Sequence, residues 1–344
     1  MGDATTRVRF KEPQIEMAHG AGGKASRRLV EGLLAPLLLR GGELGDAALL
    51  DFDGCALAIT TDAFVVTPIT FPGGCIGDLA IHGTVNDLAV SGARPEAIVV
   101  SLLLEAGLPT TVLEAQVRAM ADAAARAGVR VVGGDTKVVE HGKVDQLYIT
   151  TTGIGRRLPG VTLSARSVRP GDRVIVSGPI GDHGITILLA RGGLDLESDL
   201  CSDTRSVFPM VETLLQAVGP DIRWMRDPTR GGVATALNEL AIDSGLSVHL
   251  QEDAIPLRAA VRGACEILGL DPLHIANEGQ FLVVVDASRA EEALSVLHGT
   301  SRGAEAAIIG EIRDAPAACV LVATPYGGTR IVDMLVGDPL PRIC

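Results

Sequence analysis

Residues 86–92 read Asn86-Asp87-Leu88-Ala89-Val90-Ser91-Gly92, and residues 238–245 repeat that pattern as Asn238-Glu239-Leu240-Ala241-Ile242-Asp243-Ser244-Gly245. Each copy ends a segment of helical spacing that follows a loop rich in glycine and aspartate. Self-similarity within one chain is typical of duplicated structural units. We therefore expect an α/β (α+β) protein built from two related domains.

Strands and helices alternate in the first half of the chain. After the turn at residues 20–23, leucines at helical spacing predict one amphipathic helix that ends near Arg40-Gly41-Gly42. The patterns then predict strands at 56–66, 96–104, 129–132 and 146–155, and helices at 78–91 and 110–127. The strand at 129–132 is expected to be short and buried, and to run into Gly133-Gly134-Asp135.

The second half repeats this alternation. Strands are predicted at 174–176, 246–250, 280–286, 306–312 and 318–323, and helices after residue 184 and at 204–218, 230–244 and 257–268. The densest cluster of glycine, proline and charge, residues 155–172, separates the two halves. We expect an N-terminal glycine-rich segment and helix at 1–42, domains at 43–158 and 159–334, and a flexible tail at 335–344.

The composition limits the classes of function. The 344 residues suffice for two hydrophobic cores. A net charge of −12 and the lack of a dense Lys/Arg run argue against a nucleic-acid surface, and the apolar runs are too short to cross a bilayer. The six cysteines show no Cys-x-x-Cys pair or Cys/His cluster, so neither a zinc site nor a disulfide framework is indicated. We expect a cytoplasmic protein without nucleic-acid or membrane partners.

Three aspartates, Asp62, Asp87 and Asp135, lie where strands or helices meet loops. Carboxylates that converge from separate segments suit magnesium, which takes few protein oxygens beside phosphate and water. Each has an ordinary alternative: Asp62 could end a strand, Asp87 could be an exposed helix residue, and Asp135 could cap a turn. Together with neighbouring glycines, whose backbone amides approach anions closely, they predict a site for a magnesium–nucleotide complex.

The glycine-rich loop, Gly20-Ala21-Gly22-Gly23, lies between His19 and Lys24 and precedes the first helix. Its amides and the helix N-terminus are suited to binding phosphate. The loop is neither a Walker A sequence nor a Rossmann fingerprint, and a flexible N-terminal turn is an equal alternative.

The sequence ends on a thiol, Cys344, which follows Pro339-Leu340-Pro341-Arg342-Ile343. The two prolines favour an extended approach and remove backbone donors. An extended arm could carry the thiol into a cleft and out again to a partner. A frayed terminus that happens to stop at cysteine is the ordinary alternative.

Taken as an ordered set, these segments resemble the family that includes aminoimidazole ribonucleotide synthetase, selenophosphate synthetase, thiamine monophosphate kinase and the hydrogenase maturation factor HypE. The resemblance runs through Thr61-Asp62, residues 85–95, Gly133-Gly134-Asp135-Thr136 and residues 227–233. Within the family, residues 19–24 and 341–344 look like the HypE branch. The resemblance implies two α/β domains of the aminoimidazole ribonucleotide synthetase type, in a homodimer whose first domains form a shared β-barrel with nucleotide clefts at the interface.

For the HypE branch, the resemblance implies that Cys344 receives a carbamoyl group from the carbamoyltransferase HypF. ATP would then drive dehydration of that group to a protein thiocyanate. The thiocyanate would supply cyanide ligands for the iron of nickel–iron hydrogenase through the HypC–HypD complex. ATP is needed because an amide oxygen is a poor leaving group, whereas a phosphorylated oxygen departs as phosphate. Such a transfer depends on positioning and charge neutralisation.

The resemblance also assigns residues to the nucleotide. The glycine-rich loop would fold over the phosphates, and Lys24 or Lys137 would counter their charge. Arg230, at the start of a helix, would face phosphate or simply be an exposed helix-end residue. The residues expected to hold ATP are Gly20, Gly22, Gly23, Lys24, Asp62, Asp87, Asp135 and Arg230, and the expected Mg²⁺ ligands are Asp62, Asp87 and Asp135.

Dehydration removes two amide protons, so a base has to lie beside the modified thiol. Glu278 is the preferred base and His141 the second candidate, although they could equally be a loop carboxylate and an exposed turn residue. Asn277 would orient the carbamoyl group or cap a turn. The expected catalytic residues are Cys344, Glu278, Lys137, His141 and Asn277.

Two other functions remain open at this point. A small-molecule kinase resembling thiamine monophosphate kinase would account for the Thr61-Asp62 strand end and the Gly-Gly-Asp-Thr segment, but not for the tail. A non-catalytic thiol carrier or scaffold would account for the tail alone.

Overall fold

The structure, a computed structural model, describes residues 10–38, 44–192, 198–335, 337, 340 and 342–344. The expected helix end at Arg40-Gly41-Gly42 and the expected extended approach at Pro339 and Pro341 lie outside these residues. Within the described residues, no helix combines the length and the apolar character needed to cross a bilayer. All six cysteines are free thiols.

A run of helix follows the glycine-rich loop, as predicted. After a 3₁₀ turn (Met17–Gly20), the chain forms α1 (Gly23–Leu29), a π-helical turn (Val30–Leu34) and α2 (Ala35–Leu38). Leu33, Leu34, Leu37 and Leu38 are exposed. The apolar stripe that predicted the helix is therefore left uncovered by the described part of the chain.

The first sheet has five strands in the order β1-β2-β7-β5-β6. All neighbours pair antiparallel except β5 and β6, which are parallel. Helix α3 is almost wholly buried and packs on β2, β7 and α4. The elements are β1 (Ala48–Phe52), β2 (Cys55–Phe64), β3 (Thr70–Phe71), β4 (Gly74–Cys75), α3 (Ile76–Val90), β5 (Ala93–Glu105), α4 (Thr110–Ala127), β6 (Arg130–Val139) and β7 (Leu147–Arg157).

Strand β6 corrects one expectation. It is ten residues long rather than short, and nine of the ten are exposed rather than buried. The reason is its position at the edge of the sheet, where only β5 pairs with it. Position 134 of this strand is glycine because a Cβ there would lie only 2.1 Å from the Val100 carbonyl oxygen. The Gly-Gly-Asp segment is thus an edge strand and not a turn.

The second sheet has seven strands in the order β14-β13-β10-β12-β8-β11-β9. Strands β9 and β14 and helix α9 were not predicted, whereas the other elements fall near their predicted places. The elements are β8 (Arg173–Val176), α5 (Asp182–Ala190), α6 (Phe208–Val218), β9 (Ile222–Arg226), α7 (Gly232–Ser244), β10 (Ser247–Gln251), α8 (Ala259–Leu268), β11 (Leu282–Val285), α9 (Ala290–His298), β12 (Ala307–Arg313), β13 (Cys319–Ala323) and β14 (Thr329–Val332).

The repeated sequence occupies equivalent places in α3 and α7. Each copy begins with a buried asparagine whose amide donates to backbone carbonyls of other segments: Asn86 to Arg205 and Glu278, Asn238 to Val332 as well as to its own helix. Each helix is followed by a glycine with positive φ, 77° at Gly92 and 73° at Gly245, as helix ends commonly require. The sequence repeat is therefore also a structural repeat.

The hydrophobic core continues from one domain into the other. One cluster of buried side chains includes Ile81 of α3, Val211 of α6 and Ile343 of the tail. Asn86 adds a polar link, because its Oδ1 accepts from the backbone N–H of Val207 at 2.8 Å. These contacts bring the end of α3, the 203–207 segment and the 276–279 loop together.

Candidate functional site

Four buried or half-buried aspartates from separate segments form the acidic cluster: Asp46, Asp62, Asp87 and Asp227. Asp46, Asp87 and Asp227 each place a carboxylate oxygen within 4.8 Å of the other two. Thr60 donates to Asp87 at 2.7 Å, and Thr84 donates to Asp62 at 3.1 Å. The strand β2, the helix α3 and the loop after β9 thus deliver their carboxylates to one place.

The electrostatics of the acidic cluster fit a cation. Burial raises the pKa of all four carboxyls. Repulsion from neighbouring aspartates raises it further for three of them, to about 6 for Asp46 and well above the usual range for Asp87 and Asp227. Arg226 offsets part of this charge, with Nε 2.7 Å from Asp46. A divalent cation would relieve the remaining repulsion, and an all-oxygen donor set suits Mg²⁺.

Glu278 lies near this cluster and is only 3% exposed. Its Oε1 has no hydrogen-bond partner among the described residues. Burial, then the negative charges of Asp227 and Asp203, raise the pKa of the Glu278 carboxyl well above its ordinary value. A buried carboxyl with a raised pKa is a candidate for proton transfer.

Asn277, beside Glu278, is fully buried and engaged with the backbone. Its Nδ2 donates to the carbonyls of Pro228 (2.9 Å) and Ile275 (3.0 Å), and its Oδ1 accepts from Gly181 N–H (2.7 Å). These bonds correspond to the turn-capping alternative and use both amide hydrogens. In this conformation Asn277 orders the loops around Glu278.

The glycine-rich loop is wedged between Arg230 and the start of the tail. Gly22 and Gly23 have φ of 78° and 73°, and a Cβ would lie 2.8 Å from the Arg230 carbonyl oxygen or 2.5 Å from that of Leu335. Arg230 Nη1 donates to the Gly20 carbonyl at 2.6 Å. Only glycine combines this backbone conformation with so close an approach. Lys24 forms an ion pair with Asp333.

A cavity of about 560 Å³, the tail cavity, lies under this loop. Half-buried Cys344 lines it together with Gly20–Gly23, Ala63 and Val65 after Asp62, Arg230, and Ala276. The acidic cluster and Glu278 lie near the cavity, because Arg230, which lines it, interacts electrostatically with both Asp62 and Glu278. The positive charge of Arg230 lowers the pKa of both Asp62 and Glu278 and so partly offsets burial.

Three expected site residues lie elsewhere in the single chain. Asp135 and Lys137 are exposed on β6 and pair with each other at 3.1 Å, and exposed His141 pairs with Glu105 at 3.0 Å. Strand β6 is three positions from β2 in the sheet, which is about 14 Å. One chain alone therefore does not bring them to the acidic cluster.

The sequence reasoning missed Asp46 and Asp227 as candidate metal ligands. Asp227 opens the Asp-Pro-Thr-Arg-Gly-Gly segment that contributed to the family resemblance, so a signal existed. Asp46, between Gly45 and Ala47, has no such pattern around it. Only the tertiary structure identifies Asp46 as a candidate metal ligand, because there the chain before β1 packs against Arg226.

Comparisons with known proteins identify the family of the chain. Residues 44–157 match the model of the AIR synthase related protein N-terminal domain, and residues 169–321 match that of the C-terminal domain. The carbamoyl dehydratase HypE of Azotobacter vinelandii is 48% identical over 341 residues, covering 98% of this chain and 100% of that protein.

Two solved structures are also similar. HypE in complex with ATP has a TM-score of 0.81 and 46% identity, covering 96% of this chain and 100% of the other. A HypE–HypF complex has a TM-score of 0.85 and 42% identity, covering 89% and 99%. The chain belongs to the AIR synthase related family and, within it, to the HypE carbamoyl dehydratases.

Proposed function

We propose that this chain dehydrates a carbamoyl group carried on its own Cys344 to a thiocyanate, in a reaction coupled to ATP hydrolysis. The observation that carries the proposal is the position of Cys344 in the tail cavity, under the glycine-rich loop and with Arg230, whose charge also acts on Asp62 of the acidic cluster. The substrate-bearing thiol and the groups suited to phosphate and magnesium share one place. The similar HypE–ATP complex supports ATP as the nucleotide.

The chain supplies positioning and charge for the nucleotide. We propose that the glycine-rich loop and Arg230 contact the phosphates, and that Asp46, Asp87 and Asp227, with Asp62 beside them, hold Mg²⁺. When bound, Mg²⁺ neutralises charge on the phosphates. Lys24 would have to leave Asp333 to reach the nucleotide, since the two now form an ion pair.

The dehydration proceeds in two steps, phosphorylation of the carbamoyl oxygen and then loss of phosphate. The carbamoyl oxygen attacks the γ-phosphorus of ATP and ADP leaves. The C–O bond then breaks, phosphate departs with the oxygen, and the nitrogen loses both protons as the S–C≡N group forms. Glu278 acts as the base, because its raised pKa strengthens it as a proton acceptor once ionised.

We propose that the working form is a homodimer. Strands β1 and β6 leave apolar side chains exposed on the first sheet, among them Leu49, Phe52, Val131 and Val132. Exposed apolar side chains on both edge strands of the sheet favour an interaction surface there. A shared barrel built on it would let Asp135, Lys137 and His141 of one subunit approach the site of the other, which the single chain does not allow.

Partners and setting complete the proposal. HypF would donate the carbamoyl group, as the similar HypE–HypF complex suggests. The HypC–HypD complex would accept the cyanide for the iron of nickel–iron hydrogenase. We place the reaction in the cytoplasm, whose reducing conditions keep Cys344 a thiol. The proposed division is an N-terminal segment at 1–42, an ATP-binding, dimerising domain at 43–158, a second domain at 159–334 and a tail at 335–344.

The experiment that tests this proposal measures the mass of the C-terminal peptide that carries Cys344. Cyanate carbamoylates the thiol, and cleavage before Asp338 then releases residues 338–344. The peptide should lose the mass of one water after incubation with Mg²⁺ and ATP, and should keep the adduct without ATP. An adduct unchanged by ATP would contradict the proposal. Two variants distinguish the alternatives. Removal of Ile343-Cys344 would leave the activity of a small-molecule kinase intact, and Asp87→Asn would leave the function of a non-catalytic thiol carrier intact, whereas each change should abolish ATP-dependent dehydration.

A further inference from the structure

The end of the tail pairs with the chain that follows β2. The backbone N–H of Val65 donates to the Cys344 carbonyl at 2.9 Å, and that of Thr67 donates to the Arg342 carbonyl at 3.3 Å. The paired residues run in opposite directions, so the end of the tail lies antiparallel to the segment after β2. Cys344 thus lies opposite Val65, which lines the tail cavity.

The side chain of Arg342 fastens this pairing to the first domain. Its Nε donates to the Val65 carbonyl at 3.0 Å, its Nη1 lies 2.9 Å from Asp145, and its guanidinium lies 5.7 Å from the Tyr148 ring centroid. The backbone φ of Arg342 is 55°, a region that residues with side chains rarely occupy. The tail therefore needs contacts that maintain this conformation.

Helix α5 of the second domain holds the other side of the tail. His183 is fully buried, with Nε2 2.7 Å from the Ile343 carbonyl oxygen and Nδ1 2.7 Å from Ser202 Oγ. A carbonyl only accepts, so Nε2 carries the hydrogen and Nδ1 accepts from the Ser202 hydroxyl. The ring of Phe71 packs edge-on against His183, 5.7 Å between centroids. The imidazole is fixed in orientation and tautomer.

Arg191, directly after α5, joins the tail to its partner segment. Its Nη2 donates to the Arg342 carbonyl at 2.5 Å, and its Nε donates to the Thr67 carbonyl at 2.9 Å. One guanidinium thus bridges the two paired segments. His183 and Arg191 together bind the last two carbonyls before Cys344.

We propose that His183 and Arg191 are positioning residues that hold the tail docked, so that Cys344 stays in the tail cavity during dehydration. Neither is assigned to the thiol; each acts through a tail carbonyl. Delivery of the product breaks both hydrogen bonds and leaves the Nε2–H of His183 without its acceptor, so these residues bias the tail towards docking. The inference rests on the proposed function and adds how the substrate-bearing residue is held.

The experiment measures exposure of the thiol in the full chain. Iodoacetamide should alkylate Cys344 faster when the tail undocks than when the thiol is half-buried in the tail cavity, and the peptide of residues 338–344 reports the rate. Cys55, exposed on β2, provides an internal standard whose rate should not change. The variant His183→Phe keeps a ring against Phe71 but loses the hydrogen bonds to Ser202 and to the Ile343 carbonyl. Only the second of these holds the tail, so we expect the Cys344 alkylation rate to rise roughly fivefold, the effect of losing one hydrogen bond of about 1 kcal/mol.

Two further variants and a control complete the design. His183→Gln keeps a donor near the Nε2 position and should restore most of the parent rate. Arg191→Gln, at a half-exposed site, should raise the rate as well, and it decides the question if His183→Phe does not fold. His82→Phe removes another buried histidine, on α3, and should leave Cys344 alkylation unchanged.

The rate of dehydration distinguishes a residue that positions Cys344 for the reaction from one that only stabilises the fold. In His183→Phe, the rate constant for loss of water from carbamoylated Cys344 should fall while KM for ATP stays the same. Parent-like alkylation in folded His183→Phe and Arg191→Gln would overturn the inference, as would faster alkylation with an unchanged dehydration rate constant. If the parent shows no ATP-dependent loss of water, the proposed function fails, yet the alkylation rates still decide whether the tail is held.

Discussion

Glu278 shows how much of a residue's chemistry comes from its neighbours. The loop Ala276-Asn277-Glu278-Gly279 nominated it as a base, but an ordinary loop carboxylate was the alternative. Its pKa is raised because the fold buries it near Asp203 and Asp227, which are far away in sequence. A local pattern cannot contain that information.

Replacing Glu278 with glutamine tests its role as base. Glu278→Gln keeps the shape of the side chain and is neutral, so the fold should retain its thermal stability. Loss of the base should slow ATP-dependent loss of water from carbamoylated Cys344 by about a hundredfold or more, measured from the mass of residues 338–344. Parent-like dehydration by a folded Glu278→Gln protein would assign the proton transfer to another residue.

The metal ligands are tested with Mg²⁺ alone. Binding to the folded state raises the unfolding temperature, so Mg²⁺ without nucleotide should stabilise the parent chain. We expect Asp227→Asn to lose this increase and Asp135→Asn to keep it, because Asp227 lies in the acidic cluster, whereas Asp135 pairs with Lys137 and is not among the proposed metal ligands. The reverse result would favour the ligand set expected from the sequence.

At the scale of elements, the glycine-rich loop was predicted but its neighbours were not. The run of glycines before a helix indicated phosphate binding or a flexible turn with equal weight. The structure shows the loop packed on Arg230 and Leu335, at distances that exclude a Cβ. Those neighbours come from the second domain and the tail, and only tertiary packing places them there.

Alanine in this loop should weaken ATP binding. Gly22→Ala puts a Cβ 2.8 Å from the Arg230 carbonyl oxygen at a positive φ, so the loop has to move from its place over the tail cavity. We expect KM for ATP to rise roughly tenfold, with the fold retained. Gly263→Ala on α8, where a Cβ meets nothing within 4 Å, should leave KM unchanged and stabilise the helix slightly. An unchanged KM in Gly22→Ala would remove the loop from the nucleotide site.

At the scale of the whole molecule, the exposed apolar side chains of the edge strand β6 predict that this strand lies in the dimer interface. Val132 on β6 is 56% exposed, and Val132→Asp would place a charge in the proposed dimer interface. We expect this variant to sediment as a monomer while the parent sediments as a dimer. Ile331→Asp, on the exposed edge strand β14 of the second domain, should remain a dimer. A dimeric Val132→Asp protein would mean that β6 faces solvent in the assembly.

The buried histidine His82 predicts a pH dependence of global stability. Burial lowers the pKa of His82 to about 4, compared with about 6.5 in an unfolded chain. Between these values the unfolded chain binds more protons, so this residue makes the free energy of unfolding fall as the pH drops from 6.5 to 4. His82→Phe removes the effect. In urea titrations, the difference in unfolding free energy, parent minus variant, should therefore increase by on the order of 3 kcal/mol from pH 4 to pH 7. A pH-independent difference would contradict this.

Local patterns were enough to predict most of the helices and strands. The bounds of α4 were predicted correctly, because its periodicity and flanking Pro109 and Gly128 are all contained in one segment. The repeated Asn86 and Asn238 segments likewise predicted two related domains, and the glycine and aspartate motifs predicted a magnesium–nucleotide site, whereas the reaction on the tail followed from the family resemblance.

Only the tertiary structure decided which residues meet. It brought Asp46 and Asp227 to Asp87, left Asp135 on an exposed edge strand, and placed Cys344 opposite Val65 with the preceding Ile343 carbonyl bound to His183. The physical reason is that burial, charge repulsion and hydrogen bonding between distant segments depend on packing in three dimensions. Periodicity and turn chemistry act within a few residues, and so they are the part that a sequence displays.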